Sequence, residues 1–263
     1  MNKVEAIRAL SGWRAAHRRP SWRPRTIACE EDPGLLASKF GGFPWLDADE
    51  SWPGCGRCWG PLHPVLQLNL SQLPEECRFG LDDGLVQLFG CNRDCRWDWP
   101  ADVRRSAELT TLVRWVRPDN RIRSVDPPPE VLNKPIDLIT AWEQRDDYPR
   151  SLEQEELGLE YDYIWGHRAV RVEWKEGGVI LEWVEDTEIA EAISDALNGD
   201  KLGGWPAWPA RVAYPECRQC GRRMRLLFQI DDRHMQLMGD HISHGFIMQC
   251  TDHQEQLAFI RQS

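Results

Sequence analysis

At 263 residues the chain can form one large domain or two fused ones, and it can bury a substantial core. A formal charge of −10 and an isoelectric point near 5.3 argue against general affinity for nucleic acid or an anionic membrane. No apolar run approaches the roughly 18 residues of a membrane span. Met1 to Pro20 alternates charged with apolar residues and lacks the apolar core of a secretory signal, so a cytoplasmic setting is expected.

Residues 3–18 read as a helix, with Val4, Ile7, Leu10 and Trp13 at helical spacing. Arg18, Arg19, Arg23 and Arg25 follow around Pro20 and Pro24. They read as a solvated connector or as partners of acidic residues elsewhere, with nucleic-acid contact the less favoured alternative. Val65–Leu70 and Leu226–Ile230 are short apolar runs between turn signals and read as strands, with Gly84–Phe89 and Gly245–Gln249 as their return strands. Leu109–Val116 is a further strand candidate, and Asp126-Pro127-Pro128-Pro129 a linker or turn. Ser151–Glu160 suggests a short acidic helix, and Val170–Trp174 with Gly178–Trp183 a hairpin. Thr187–Leu197 fits a helix capped by Asp186 or Thr187 and closed by Asn198-Gly199.

One stretch recurs. Lys39-Phe40-Gly41-Gly42-Phe43-Pro44 returns as Lys201-Leu202-Gly203-Gly204-Trp205-Pro206, an offset of 201 − 39 = 162. At that offset Pro53 falls on Pro215, Cys55 on Cys217, Cys58 on Cys220 and Gln67 on Gln229. Self-similarity at one fixed offset is the mark of a duplicated structural unit. The expected fold is therefore α+β and internally duplicated, with two pseudo-symmetric, mainly-β units and a few helices. The organisation expected is a helix and basic connector over 1–37 and a first unit over 38–125. A linker, hairpin, helix and second unit occupy 126–263.

The cysteines carry the chemistry. Zinc takes four ligands in a tetrahedron, and Cys-x2-Cys on a tight turn aims two thiolates at one point. Cys55 and Cys58 have that spacing, as do Cys217 and Cys220. A second pair follows each: Cys91 with Cys95, then Cys250 with His253. Two structural zinc ions are expected, one in each set of four. The alternatives are a pair of sites that have lost their ions and, for His253, a helix-terminal or surface histidine. Cys29 and Cys77 lack a partner at ligand spacing and read as ordinary thiols. His63, His234, His241 and His244 could form a catalytic cluster but read as incidental loop histidines. A full protein ligand set leaves no open coordination position, and the motifs of hydrolases, phosphate-binding loops and dinucleotide binders are absent from the sequence. Trp45, Trp52, Trp59, Trp205 and Trp208 lie beside the cysteine pairs. They are expected to pack over the knuckles, the alternative being exposed anchors for a partner.

Lys39-Phe-Gly-Gly-Phe-Pro, Trp52-Pro53, the Cys-x2-Cys and Val65–Leu70 together resemble the YwqG-like family of bacterial proteins. Asp200-Lys-Leu-Gly-Gly-Trp-Pro and Met224–Asp231 are similar to the same family, so the resemblance covers roughly 38–259. It implies a duplicated α+β fold and supplies no activity. A more distant likeness of both heads is to the programmed-cell-death-protein-two group of eukaryotic chaperones, which implies escort of a basic client. The leading expectation is a non-enzymatic, zinc-stabilised binding module for a basic protein, either a chaperone or a toxin-neutralising immunity protein. Trp45 and Trp208, with Asp47, Asp49 and Glu50, would line its binding face. The competing expectation is a hydrolase or transferase with its site between the two halves. A nucleic-acid-binding zinc protein comes third.

Overall fold

Strands dominate the described residues. The computed structural model describes residues 3–78, 80–81, 83–93, 95, 109–119, 127–131, 135–164, 169–174, 181–185, 197–239 and 243–263. The chain divides into two compact units. The first comprises 1–21, 144–198 and 203–213; the second comprises 22–143, 199–202 and 214–263.

A ten-stranded sheet is made by β1 (Arg19–Cys29), β2 (Lys39–Phe40), β3 (His63–Asn69), β4 (Leu85–Gly90), β5 (Thr111–Val116) and β6 (Ile136–Asp147), together with β10 (Lys201–Gly203), β11 (Arg225–Ile230), β12 (His244–Gln249) and β13 (Leu257–Gln262). Their order is β13-β12-β11-β10-β1-β6-β2-β3-β4-β5. Both outer strands belong to the second unit, and β5 lies against β13, so the sheet nearly closes on itself. β3 and β4 are buried on both faces, which is why they read as continuous apolar runs rather than alternating ones. A large apolar core lies in the second unit. Phe40, Leu66, Leu68 and Leu88 share it with Leu202, Phe228, Ile230 and Ile247. Each such side chain contributes about 1.5–3 kcal/mol by leaving water.

Backbone pairing around β2 and β3 recurs 162 residues on. Lys39 faces Gln67 as Lys201 faces Gln229, and Phe40 faces Leu66 as Leu202 faces Phe228. The Gly54–Pro61 bridge is matched by Glu216–Arg223. In the return strands the offset falls to 247 − 88 = 159, since Leu66 faces Leu88 while Phe228 faces Ile247. Between equivalent paired positions the path from β11 to β12 is thus three residues shorter than that from β3 to β4. Gly41 and Gly42 have φ of 67° and 68°, and Gly203 and Gly204 have 69° and 75°. A carboxylate sits against each turn: Asp32 Oδ2 accepts from Phe43 N, and Asp147 Oδ2 from Trp205 N. A Cβ on Gly204 would overlap the Asp147 carboxylate. Only glycine fits there.

The first unit holds α1 (Lys3–Ala16), α2 (Ser151–Glu156) and an antiparallel three-stranded sheet. That sheet comprises β7 (Leu159–Ile164), β8 (Ala169–Trp174) and β9 (Leu181–Glu185). Trp205 and Trp208 also belong to the first unit and are buried, and Trp208 Nε1 donates to Glu153 Oε2 at 2.9 Å.

The mostly-β architecture departs from expectation in identifiable places. The arginine connector runs from Arg18 into strand β1, which the sequence reading did not expect. The acidic partners it did allow are present: Arg18 pairs with Asp146 and Arg25 with Glu143, while Arg19 lies over Trp205. Pro20 and Pro24 are four apart, so both missing N–H groups fall on one edge of the strand, and its neighbour β10 has only three residues. β6 is likewise unexpected, because its second half, Glu143 to Asp147, is almost entirely charged. The expected helix over 151–160 ends at Glu156, with β7 starting at Leu159, and β5 starts at Thr111 rather than Leu109. The Thr187–Leu197 helix, bar its last residue, and the Glu176–Gly178 turn lie outside the described residues.

Candidate metal centres

Both Cys-x2-Cys segments fold into the same turn. Cys55 N donates to Gly60 O and Trp59 N to Cys55 O, at 2.8 and 3.0 Å. Cys217 N donates to Arg222 O and Gly221 N to Cys217 O, each at 2.8 Å. Backbone amides also point at sulfur, Arg57 N at Cys55 Sγ and Gln219 N at Cys217 Sγ, at 3.5 and 3.4 Å. At Cys217 burial would raise the thiol pKa, but the Cys220 and Gln219 amides and the neighbouring thiols outweigh it and hold it below the ordinary value. The ends of β4 and β12 bring in the other pairs.

All eight expected ligands are brought together in two groups of four, with ligand atoms within 4.8 Å of one another. In the first, Cys58–Cys91, Cys91–Cys95 and Cys55–Cys95 sulfurs stand 3.7, 3.5 and 4.0 Å apart. A tetrahedral ion with 2.3 Å metal–sulfur bonds requires sulfurs about 3.8 Å apart, whereas a disulfide requires about 2.05 Å. In the second, Cys220 Sγ lies 3.6 Å from Cys250 Sγ. His253 Nδ1 lies 3.7 and 3.8 Å from Cys217 and Cys250 Sγ, against about 3.6 Å for a sulfur–nitrogen edge. The geometry is compatible with two metal ions. Four protein ligands per ion leave no position for substrate, so the ions would act structurally. Crowding also splits the thiols of the first site. Burial would raise Cys58, but the Gly60 amide and neighbouring thiols bring it to about 7, while burial pushes Cys91 up to about 11. A bound cation is what allows such thiols to ionise together.

The first site sits in an apolar nest of Leu46, Leu62 and Phe89, flanked by Trp52, whose Nε1 donates to Leu62 O at 2.8 Å. Trp45, Trp205 and Trp208 are buried too, so they cannot be exposed anchors. Glu50 is engaged as well. It pairs with Arg114, whose Nε donates to Gln87 in a buried amide network with Gln67 and the Trp45 backbone. Trp45 and Trp208 therefore cannot be the aromatic anchors of the expected acidic face, and Glu50 is held by Arg114.

Trp59 is different. It is 87% exposed, and its φ of 59° makes it the only left-handed non-glycine among the described residues. The equivalent position in the second knuckle is Gly221, at φ 70°.

The histidines also depart from expectation. His234, expected to be incidental, is buried with Nδ1 2.7 Å from Asp200 Oδ2 and Nε2 2.9 Å from Asp137 Oδ2. Its ring stacks on Phe40, centroids 3.6 Å apart. No motif marks this arrangement, since the three residues are scattered along the chain. His63 is buried on β3, His244 lies 3.5 Å from Asp231, and His241 lies outside the described residues. Cys77 is a core residue whose thiol pKa is raised by burial. No helix of the described residues is long and apolar enough to cross a membrane.

No protein-family model matches the chain, and no curated protein matches it.

Proposed function

We propose that the protein is a non-enzymatic, zinc-stabilised protein-binding module that escorts or neutralises a basic partner. Zinc is the ion of choice because three or four thiolates with at most one imidazole is its preferred structural set. The two cysteine-bearing stretches are taken as copies of one duplicated unit with pseudo-twofold symmetry. The recurring offset of 162 in strand register, knuckle bonding and glycine conformation supports that reading. So does the resemblance of both stretches to the YwqG-like family.

Trp59 is the observation that carries the binding role. A large side chain in left-handed backbone costs on the order of 1 kcal/mol, and glycine occupies the matching place cheaply. Indole held out on a rigid turn is a partner anchor, and its face suits the lysine or arginine of a basic client. The chain's net charge of −10 would steer such a client towards it.

Trp59→Gly tests this. The variant should melt at or slightly above the wild-type temperature, because it relieves the backbone. It should lose at least tenfold in affinity for the protein that wild type captures most strongly from its native cell. Unchanged affinity would remove Trp59 from the interface and leave the reading without its main support.

A hydrolase or transferase is the alternative, and Asp137, His234 and Asp200 are what favour it. A general base must present one ring nitrogen to substrate. Both nitrogens of His234 are taken by carboxylates, which weighs against that role.

A further inference from the structure

His234 is the ring of a buried network that joins separate parts of the second unit. Asp137 comes from β6, Asp200 from the turn leading into β10, and His234 from the helical turn α3 (Asp232–Met235). Phe40 of β2 lies flat on the imidazole, with an interplanar angle of 3°. The histidine side chain is 7% exposed, and those of Asp137 and Asp200 are 10% and 15% exposed.

Both ring nitrogens meet a carboxylate oxygen, and an ionised carboxylate can only accept. Neutral imidazole has a single N–H. It could satisfy one aspartate and would turn a lone pair towards the other. Imidazolium has two N–H donors and satisfies both. Asp200 cannot turn away freely, because its second oxygen accepts from Asp231 N at 2.9 Å. Asp137 is likewise held by Arg233 at 2.9 Å.

We infer that His234 is an imidazolium clasp, closed at neutral pH while both carboxylates are ionised and opened by alkali, that fastens β6 and β2 to the turn entering β10. The charged groups facing it are Asp137, Asp200 and Arg233. Beyond them, Asp231 and Asp232 begin α3, and His244 on β12 faces Asp231. Around the ring itself the carboxylates outnumber the cation. Burial alone would lower the His234 pKa; the hydrogen bonds and charges of Asp200 and then Asp137 outweigh it and raise it.

The sign of the pH effect follows. A raised folded-state value means that the folded protein holds its proton more tightly than the unfolded chain does. The stabilisation is complete below the unfolded value of about 6.5 and is lost as pH rises through the folded one. Each pH unit separating the two values is worth about tenfold in the folding equilibrium. Because the clasp joins residues 97 apart in sequence, its opening loosens long-range contacts rather than one loop.

Two measurements on the full, metal-loaded chain test the clasp. Nitrogen NMR of the assigned His234 ring should show both nitrogens protonated at pH 7, with a midpoint above that of an ordinary histidine. The melting-temperature gap between wild type and His234→Gln should be widest near pH 6.5 and shrink steadily towards alkaline pH. A ring that is neutral at pH 7, or a gap that does not change with pH, overturns the inference. If the glutamine variant does not fold, the ring titration alone decides.

Discussion

Serine in place of Cys217 will halve the metal content and lower the melting temperature by roughly 10 °C or more. The wild-type chain should carry two zinc ions, one held by Cys55, Cys58, Cys91 and Cys95, the other by Cys217, Cys220, Cys250 and His253. Structural zinc in small fingers supplies an apparent 10–16 kcal/mol of folding free energy at about neutral pH, and here a shared core offsets part of the loss. Cys217 is buried, and its sulfur faces both His253 Nδ1 and the Gln219 amide. Without it the turn over 217–222 is no longer tied to the end of β12. Elemental analysis and a melting curve read both effects. A variant that keeps two ions, or keeps its melting temperature after losing one, would show that the metal does not staple the fold.

Asp32→Ala should destabilise the protein by about 3–5 kcal/mol, the usual cost of stranding one member of a buried ion pair. The Lys39 side chain is wholly buried, and its Nζ donates to Asp32 Oδ1 at 2.6 Å and to Gly34 O at 2.8 Å. Burial holds the Lys39 pKa below the ordinary value, while the hydrogen bond and charge of Asp32 partly restore it. Without Asp32 the lysine pKa falls further, and the unfolded chain binds the proton more tightly than the folded one. Stability of the variant should therefore recover as pH rises. Adding Lys39→Met should restore much of the loss, because an apolar side chain of similar length has no charge to strand. Denaturant titration of the single and double variants checks both points, and a single variant as stable as wild type would remove the pair from the stabilising core.

The metal ligands were legible because coordination imposes short, local spacings: Cys55 with Cys58, and Cys217 with Cys220, each fold within one turn. Strands β3, β4, β11 and β12 were legible because burial on both faces demands unbroken apolar runs. β1 and β6 were not. Their outer residues are arginines and carboxylates that satisfy one another across the sheet, so neither strand alternates cleanly. The His234 network was invisible for a different reason. Asp137, Asp200 and His234 are joined only by the topology, and a lone histidine beside Asp232 looks like a surface turn. Trp59 was grouped with its neighbours because its left-handed backbone leaves no trace in the sequence until Gly221 is set beside it.

The meeting of β5 with β13 has a consequence for how the chain is made. β13 begins 257 − 116 = 141 residues after β5 ends. At about 5–20 residues per second, a ribosome needs about 7–28 s to cover that distance. For all of that time the described strand that comes to lie against β5 is not yet made, and β5 carries β-branched and aromatic residues that other chains could pair with. Closure of the sheet is therefore a late event, tied to the arrival of the last strand rather than to the assembly of the first half. Truncations that remove β13 should aggregate through β5 even where every metal ligand is retained.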